Sequence, residues 1–324
     1  MFKKGIVPIL LIFFVFGMLI LSCCACLFLF IYAAGGASSD NNIVLETIED
    51  NASENTIAVI DINGVIAANT DDLGSGDPDM VEMILFKLEK ADKDPNVKAI
   101  ILRLNTPGGT VYDSDKIAKE IKRIDQNKPV IALMESSATS GGYYISATTS
   151  KIVASETTVT GSIGVIVQVI ELDGLYDKLG VKVITITNTE GDVKSMENLD
   201  DPNSEDRSVM EEILDDDYEE FVKVIAEGRG MDRAEVINLA DGSIYSGTKA
   251  KELGLVDELG GFDKAVELAE NEAGISDANI ELYDTYIDPW SNFQLFMMGK
   301  INPLSSVTSK FSKEPGTYAY YLPE

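Results

Sequence analysis

Apolar and polar positions divide the chain into an apolar N-terminal segment, a polar linker and a long alternating region. Residues 6–34 are almost uninterruptedly apolar, Lys3 and Lys4 precede them, and the first acidic residue is Asp40. About 20 apolar residues suffice to cross a bilayer, and flanking basic residues favour the cytoplasmic side. The pattern predicts a single-pass anchor within residues 1–37, with a cytoplasmic N-terminus and the remaining chain on the outer face of the cell membrane.

Two other interpretations of this apolar segment stay open. Gly35-Gly36-Ala37 could be the cleavage site of a signal peptide, although the apolar part of a signal peptide is usually only about 7–15 residues long. Cys23 could be the lipidated cysteine of a lipoprotein, but the apolar residues continue beyond it. An uncleaved anchor accounts best for the length of the segment.

The region after the anchor predicts an α/β domain. Residues 38–55 are polar and acidic without a clear period, which is typical of a tether. From residue 56, short apolar stretches alternate with segments of helical period. Predicted strands are 58–64, 99–104, 130–134, 151–154 and 181–186, and predicted helices are 80–91, 114–125, 140–147 and 174–179. This alternation favours a largely parallel sheet.

Helical spacing continues in the second half of the chain. An acidic helix is expected over 202–227, followed by helices over 233–239 and 264–273, and a last strand-like stretch covers 280–283. We therefore expect one domain, large enough for an enzyme, over 56–275, with a C-terminal strand and tail over 276–324.

Composition restricts the function classes. Hydrophobic residues make up 45% of the chain and charged residues 25%, as in ordinary globular proteins. The 54 acidic residues outnumber the 26 basic ones, and the net charge is −28. Such a surface repels phosphate backbones, so nucleic acid is not an expected partner.

The chain contains no histidine, and its three cysteines, Cys23, Cys24 and Cys26, all lie in the apolar segment. A Ser-His-Asp triad, a cysteine nucleophile beyond residue 26 and metal sites of histidine or cysteine are thereby excluded. No phosphate-binding loop pattern is present either, and no cofactor or metal is expected. By composition alone, the chemistry must come from Ser, Thr, Lys, Tyr, Asp, Glu or a cofactor.

Three glycine-containing segments follow predicted strands: 105–110, 136–145 and 190–196. In the first, paired glycines could turn backbone N–H groups towards an oxyanion, or form an ordinary turn. In the second, Ser140 could expose its hydroxyl at a helix start, or simply cap the helix. In the third, Lys194 is either a solvated lysine or the base that a serine needs when histidine is absent, provided that its pKa is depressed.

Four motifs in this order carry a specific resemblance. They are Asn-Thr-Pro-Gly-Gly at 105–109, Ala-Thr-Ser-Gly-Gly-Tyr-Tyr-Ile at 138–145, Thr-Gly-Ser-Ile-Gly-Val-Ile at 160–166 and Gly-Asp-Val-Lys-Ser at 191–195. Over residues 56–273 the chain resembles the signal peptide peptidase A family, in its short, single-repeat, membrane-anchored form. The resemblance implies an α/β fold of the Clp-protease/crotonase-like spiral type.

The resemblance also implies a set of site residues. Ser140 would be the nucleophile and Lys194 the general base, Ser162 would orient the lysine, and the Gly109 N–H would form the oxyanion hole. Thr139 departs from the commoner alanine and adds a hydroxyl near the site.

The implied activity is that of a membrane-anchored serine endopeptidase with a Ser-Lys dyad. Its substrates would be apolar peptides such as cleaved signal peptides. Its partners would be the lipid bilayer and further copies of itself in a ring. It would need no cofactor. A catalytically silent oligomer that captures peptides, for instance in antimicrobial-peptide resistance, is the alternative, but the presence of both Ser140 and Lys194 argues against it. An acyl-CoA enzyme of crotonase type is disfavoured by the anchor and the lysine motif.

Overall fold

The computed structural model describes residues 43–68, 79–182, 184 and 199–285. The predicted anchor and most of the C-terminal tail lie outside these residues. No helix in the described part of the chain combines the length and hydropathy that a bilayer-spanning segment needs.

The described residues form alternating strands and helices. The strands are β1 (Ile43–Glu49), β2 (Thr56–Asn63), β3 (Val97–Thr106), β4 (Val130–Thr139), β5 (Lys151–Ala154), β6 (Val159–Gly161), β7 (Ile244–Ser246), β8 (Glu258–Leu259) and β9 (Asn279–Thr285). The helices are α1 (Met80–Lys93), α2 (Val111–Asp125), α3 (Gly141–Ser146), α4 (Asp173–Leu179), α5 (Glu205–Arg229), α6 (Arg233–Leu239), α7 (Gly247–Glu252) and α8 (Phe262–Ala273).

One sheet organises these elements, in the order β1-β9-β2-β3-β4-β5-β8. From β9 to β8 all neighbours are parallel, and β1 runs antiparallel to β9 at the edge. The last residues of β4 leave β5 and pair with β6, which in turn pairs antiparallel with β7. The mixed α/β fold predicted from the alternation is confirmed.

The central strands are apolar on both sides because helices cover both faces of the sheet. Ala58, Ile60 and Ile62 of β2 belong to the larger buried cluster, to which α1, α2, α3 and α5 contribute. Ile57 and Val59 point to the other face and pack in a second cluster that includes residues of α8. This double burial explains why β2, β3 and β4 are continuous apolar stretches in the sequence.

The structure differs from the sequence prediction in the acidic linker. Residues 43–49, within the predicted tether, form strand β1 on β9. Val44, Leu45 and Ile48 are each more than 40% exposed. An edge strand with neither face buried needs no alternation of apolar and polar residues, which is why its sequence shows no strand period. The short elements β6, β7, α7 and β8 were also not predicted, and the predicted strand over 181–186 lies largely outside the described residues.

Candidate active site

The site lies where β3 and β4 end. The two strands are parallel neighbours, and Thr106 at the end of β3 pairs with Ala138 near the end of β4. Their following loops therefore meet at the same edge of the sheet, the place where open α/β sheets bind ligands. A Cβ atom on Gly108 would lie 2.6 Å from the Gly141 nitrogen and 2.9 Å from Ser140 Cβ. The first two glycine segments predicted from the sequence are thus in contact.

Ser140 occupies a sharp turn between β4 and α3. Its φ is 52° and its ψ −120°, a conformation that is costly for any residue other than glycine. Its N–H donates to the Gly161 carbonyl at 2.8 Å, and its carbonyl accepts from the Tyr144 N–H at 2.9 Å. The side chain makes no capping hydrogen bond to the helix. The helix-cap interpretation of Ser140 is therefore not supported, and the backbone conformation resembles the strained strand-to-helix turns that expose nucleophilic serines.

Gly109 presents a free backbone amide beside Ser140. The Ile66 N–H donates to the Gly108 carbonyl at 2.9 Å, and the Thr110 N–H donates to the Ile66 carbonyl at 2.8 Å. The Gly109 N–H, which lies between these two hydrogen bonds, donates to no acceptor among the described residues. A Cβ on Gly109 would lie 1.8 Å from the Ile66 oxygen, so only glycine fits this close approach.

The start of α2 holds this glycine loop in place. The Thr110 hydroxyl caps the helix by accepting from the Asp113 N–H at 3.2 Å, and it donates to the Asp113 carboxylate at 2.7 Å. The buried Asp113 carboxylate also accepts from the Ala68 N–H at 2.8 Å. One carboxylate thus binds both the segment at Ala68 and the segment at Thr110. These contacts orient the Gly109 amide before any ligand binds.

Ser140 and Gly109 line one pocket, which encloses about 310 Å³ of space including its open mouth. Its walls are Gly109, Val111, Ser114, Ser140, Gly141, Tyr144, Gly164, Val165, Asp217 and Phe221. The Tyr144 and Phe221 rings meet edge to face with centroids 5.1 Å apart. The Tyr144 hydroxyl donates to Asp115 at 3.1 Å. Burial, with the nearby Asp115 charge, raises the pKa of Tyr144, so this hydroxyl stays protonated at neutral pH.

The remaining predicted site residues lie in different places. Ser162 directly follows Gly161, whose carbonyl accepts from Ser140, and its own N–H donates to the Ser243 carbonyl at 2.7 Å. Its φ of 51° also falls in the left-handed region. Ser162 is not among the residues lining the pocket. Lys194 lies outside the described residues, so the structure does not describe its distance from Ser140.

Sequence analysis missed several pocket residues. Ser114 is the clearest case: its Oγ is buried and has no hydrogen-bond partner among the described residues. It lies in the first turn of α2, and the sequence marks it only as the start of a predicted helix. Phe221 and Asp217 belong to the acidic helix. Helical spacing indicates that one face of this helix is buried, but it does not indicate which part of the protein that face contacts. Within the described part of the chain, no group of three acidic or thiol side chains could hold a metal ion.

Comparisons with known proteins identify relatives among the peptidases. The profile described as "Peptidase family S49" matches residues 122–276. A protein of Enterococcus faecium assigned as a signal peptide peptidase SppA is 40% identical over 246 residues, which cover 75% of this chain and 71% of that protein. Protease 4 of Haemophilus influenzae is 32% identical over 237 residues, covering 71% of this chain but 38% of that protein. "Serine protease SPPA, chloroplastic" of Arabidopsis thaliana is 32% identical over 222 residues, covering 68% and 32%.

Solved structures are more distant. A ClpP1 mutant from Listeria monocytogenes matches with a TM-score of 0.44 and 16% identity, covering 64% of this chain and 94% of that one. A mutant of the membrane-bound stomatin-specific protease 1510-N matches with a TM-score of 0.43 and 17% identity, covering 68% and 86%.

These relatives define the protein, whose described residues have a mixed α/β fold, as a serine peptidase. More specifically, the chain belongs to peptidase family S49. The resemblance to the signal peptide peptidase A family is thereby confirmed.

Proposed function

We propose that the chain hydrolyses peptides with Ser140 as its nucleophile and the Gly109 N–H as an oxyanion donor. One observation carries this proposal: a serine in a strained turn, without a capping bond, shares a pocket with a backbone amide that has no acceptor among the described residues. Attack of Ser140 Oγ on a peptide carbonyl places negative charge on the carbonyl oxygen. A preoriented N–H stabilises that charge without reorganising, which is the largest contribution in many acyl-transfer enzymes.

Lys194 is the proposed general base. The absence of histidine and the Gly-Asp-Val-Lys-Ser motif support this role. Neutral Lys194 would take the proton from Ser140 Oγ as the carbon–oxygen bond forms. The resulting ammonium would then give that proton to the departing amine, and water would hydrolyse the acyl-enzyme by the same proton path. Ser162 is the proposed orienting residue for the lysine, and its place directly after Gly161, the hydrogen-bond partner of Ser140, supports this.

Membrane anchoring and ring assembly are part of the proposal. The apolar segment 6–34 would hold the peptidase domain at the outer face of the membrane, near apolar peptides such as cleaved signal peptides. Exposed apolar residues among the described positions 166–182 and 184 support assembly: Ile166, Ile170 and Ile184 are 88%, 77% and 79% exposed, and α4 has no buried residue. Large exposed apolar surfaces usually mark interaction sites. The proposed assembly is a ring of Clp-like α/β spirals.

Labelling with a serine-directed peptidyl phosphonate tests the proposal. We expect one modified residue, mapped to Ser140, with parallel loss of peptide hydrolysis. The Ser137→Ala variant is the matched control, because Ser137 lies on the same strand and is not a pocket residue. Labelling elsewhere, or a Ser140→Ala enzyme with full activity, would contradict the assignment. Peptide binding without hydrolysis by the wild-type protein would favour the capture function instead.

A further inference from the structure

The candidate active-site pocket has two chemically different sets of lining residues. Gly109, Ser140 and Gly141 supply backbone amides and the proposed nucleophile. Val111, Val165 and Phe221 supply apolar walls. Asp217 is the charged side chain among the described lining residues. A substrate side chain in this pocket therefore meets both hydrocarbon and a carboxylate.

Helix packing fixes Asp217 at this wall. Asp217 and Phe221 are four residues apart on α5 and so project from the same face. Phe221 is 4% exposed and contacts the Tyr144 ring. Asp217 is half-buried, whereas the preceding Asp216 is exposed to solvent. The carboxylate is thus held against the pocket by a buried aromatic anchor on its own helix.

The charge of Asp217 is uncompensated within the described residues. Its neighbours on α5 are paired: Glu219 with Arg233, and Glu220 with Lys223. Asp115, which accepts a hydrogen bond from the Tyr144 hydroxyl, pairs with Lys119. Asp217 makes no ion pair or hydrogen bond with any described residue. The pocket holds a second unpartnered polar atom, the buried Oγ of Ser114, so its polar groups are not satisfied by the described protein residues.

We propose that this pocket selects a substrate residue with a cationic side chain, lysine or arginine, through Asp217. The hydrocarbon stem of such a side chain packs on Val111, Val165 and Phe221 while its charged end reaches the carboxylate. Lysine and arginine are the side chains that combine an apolar stem with a charged end. This inference rests on the proposed function, since it assigns a subsite of the same pocket. It identifies the substrates as apolar peptides that carry a basic residue close to the cleaved bond.

A lysine-walk experiment tests the proposal. One apolar decapeptide is synthesised with a single lysine, or a single norleucine, at each position in turn; norleucine has a similar straight-chain stem without the charge. We expect kcat/KM to favour lysine over norleucine by about two- to fivefold at one position, in the range of a partly exposed ion pair. The Asp217→Asn variant should reduce this ratio to about one, and Asp217→Lys should reverse it. Asp216→Asn, which changes the same charge one residue away, should retain it.

The outcomes separate this inference from the proposed function. A lysine preference that survives in Asp217→Asn, or no preference at any position, would overturn the inference while hydrolysis continues. If the wild-type protein cleaves no peptide, the hydrolytic function fails, and fluorescence anisotropy then compares binding of the lysine and norleucine peptides. In that arm, tighter lysine-peptide binding by Ser140→Ala than by Ser140→Ala/Asp217→Asn supports the subsite, and equal binding overturns it.

Discussion

The N–H of Ser140 donates to the carbonyl of Gly161 at 2.8 Å and so joins the end of β4 to the end of β6. Both Ser140 and the residue after Gly161, Ser162, have positive φ angles, 52° and 51°. Two neighbouring strands thus turn sharply at the same level, each at a serine. Because the turns are fixed to each other, the Ser140 conformation depends on β6 as well as on its own strand.

Removing the Ser140 side chain should separate activity from stability. Ser140→Ala is expected to abolish peptide hydrolysis and to leave the free energy of unfolding nearly unchanged, because the side chain makes no capping bond. Ser140→Gly should also be inactive but more stable than Ser140→Ala by about 1 kcal/mol, since glycine relieves the cost of the positive φ. Urea unfolding measures both values. An alanine variant as stable as the glycine variant would contradict backbone strain at this position.

Gly109→Ala should remove activity through the backbone. A Cβ there would lie 1.8 Å from the Ile66 carbonyl oxygen, so the loop must shift and carry the Gly109 N–H with it. Loss of one oxyanion donor lowers kcat by about 100- to 1,000-fold in a well-studied serine protease, and we expect a loss of that order. Gly174→Ala is the control, because no atom lies within 4 Å of its Cβ position and its φ is ordinary. Steady-state kinetics measures kcat of both variants, and circular dichroism checks that both are folded. A folded Gly109→Ala variant with the kcat of Gly174→Ala would contradict the prediction.

Ser114→Ala is expected to stabilise the protein. The Ser114 Oγ is buried without a partner among the described residues, and such a group costs about 1–3 kcal/mol relative to a satisfied one. Ser146 provides the contrast: it is equally buried, but its hydroxyl donates to the Gly142 carbonyl at 2.7 Å. Ser146→Ala should therefore lower the free energy of unfolding by about 1 kcal/mol. Equal destabilisation by both substitutions would show that Ser114 has a partner in solution.

The sequence predicts most of the sheet because the central strands are buried on both faces and their apolar stretches need no tertiary information. The family resemblance puts Ser140 and Gly109 in one site, and in the structure they meet because they follow adjacent parallel strands. Strands β6 and β7 have three residues each; β6 pairs with the extension of β4 and β7 pairs with β6, so local pattern does not reveal them. Asp217 and Ser114 enter the pocket through helix packing over long sequence separations, which the helical period alone does not specify.

The proposed lysine base predicts how the rate depends on pH. Lys194 accepts a proton only when neutral, so kcat/KM should rise with pH through a single ionisation below the ordinary lysine pKa of about 10.4. The chain has no histidine, so an ionisation near neutral pH in the rate profile cannot belong to an imidazole. Rates from pH 6 to 9.5 measure this dependence. A constant kcat/KM across that range would argue against a lysine base.

Alkaline stability sets the upper limit of that experiment. Burial raises the pKa values of Tyr143, Tyr144 and Tyr283 above the ordinary tyrosine value. Above pH 10 the unfolded chain loses these phenolic protons while the folded chain keeps them. The unfolded state then binds fewer protons, and the free energy of unfolding falls as pH rises past about 10. Thermal melts from pH 8 to 11 should show this fall, and an unchanged melting temperature would contradict it.

Mixing of inactive variants tests whether the proposed dyad is shared between subunits. Among the described elements, α3, β5, β6 and α4 lie between Ser140 and Lys194 along the chain, and the proposed ring allows the lysine to come from a neighbour. Ser140→Ala and Lys194→Ala proteins are each expected to be inactive. When dissociated subunits of the two are assembled together, some boundaries pair an intact Ser140 with an intact Lys194, and activity should return. In a random equal mixture with one neighbour contributing the lysine, about a quarter of the sites are complete, by the multiplication of independent probabilities for separate subunits. Mixed rings, verified by native mass spectrometry, that stay inactive would place both residues of the dyad within one chain.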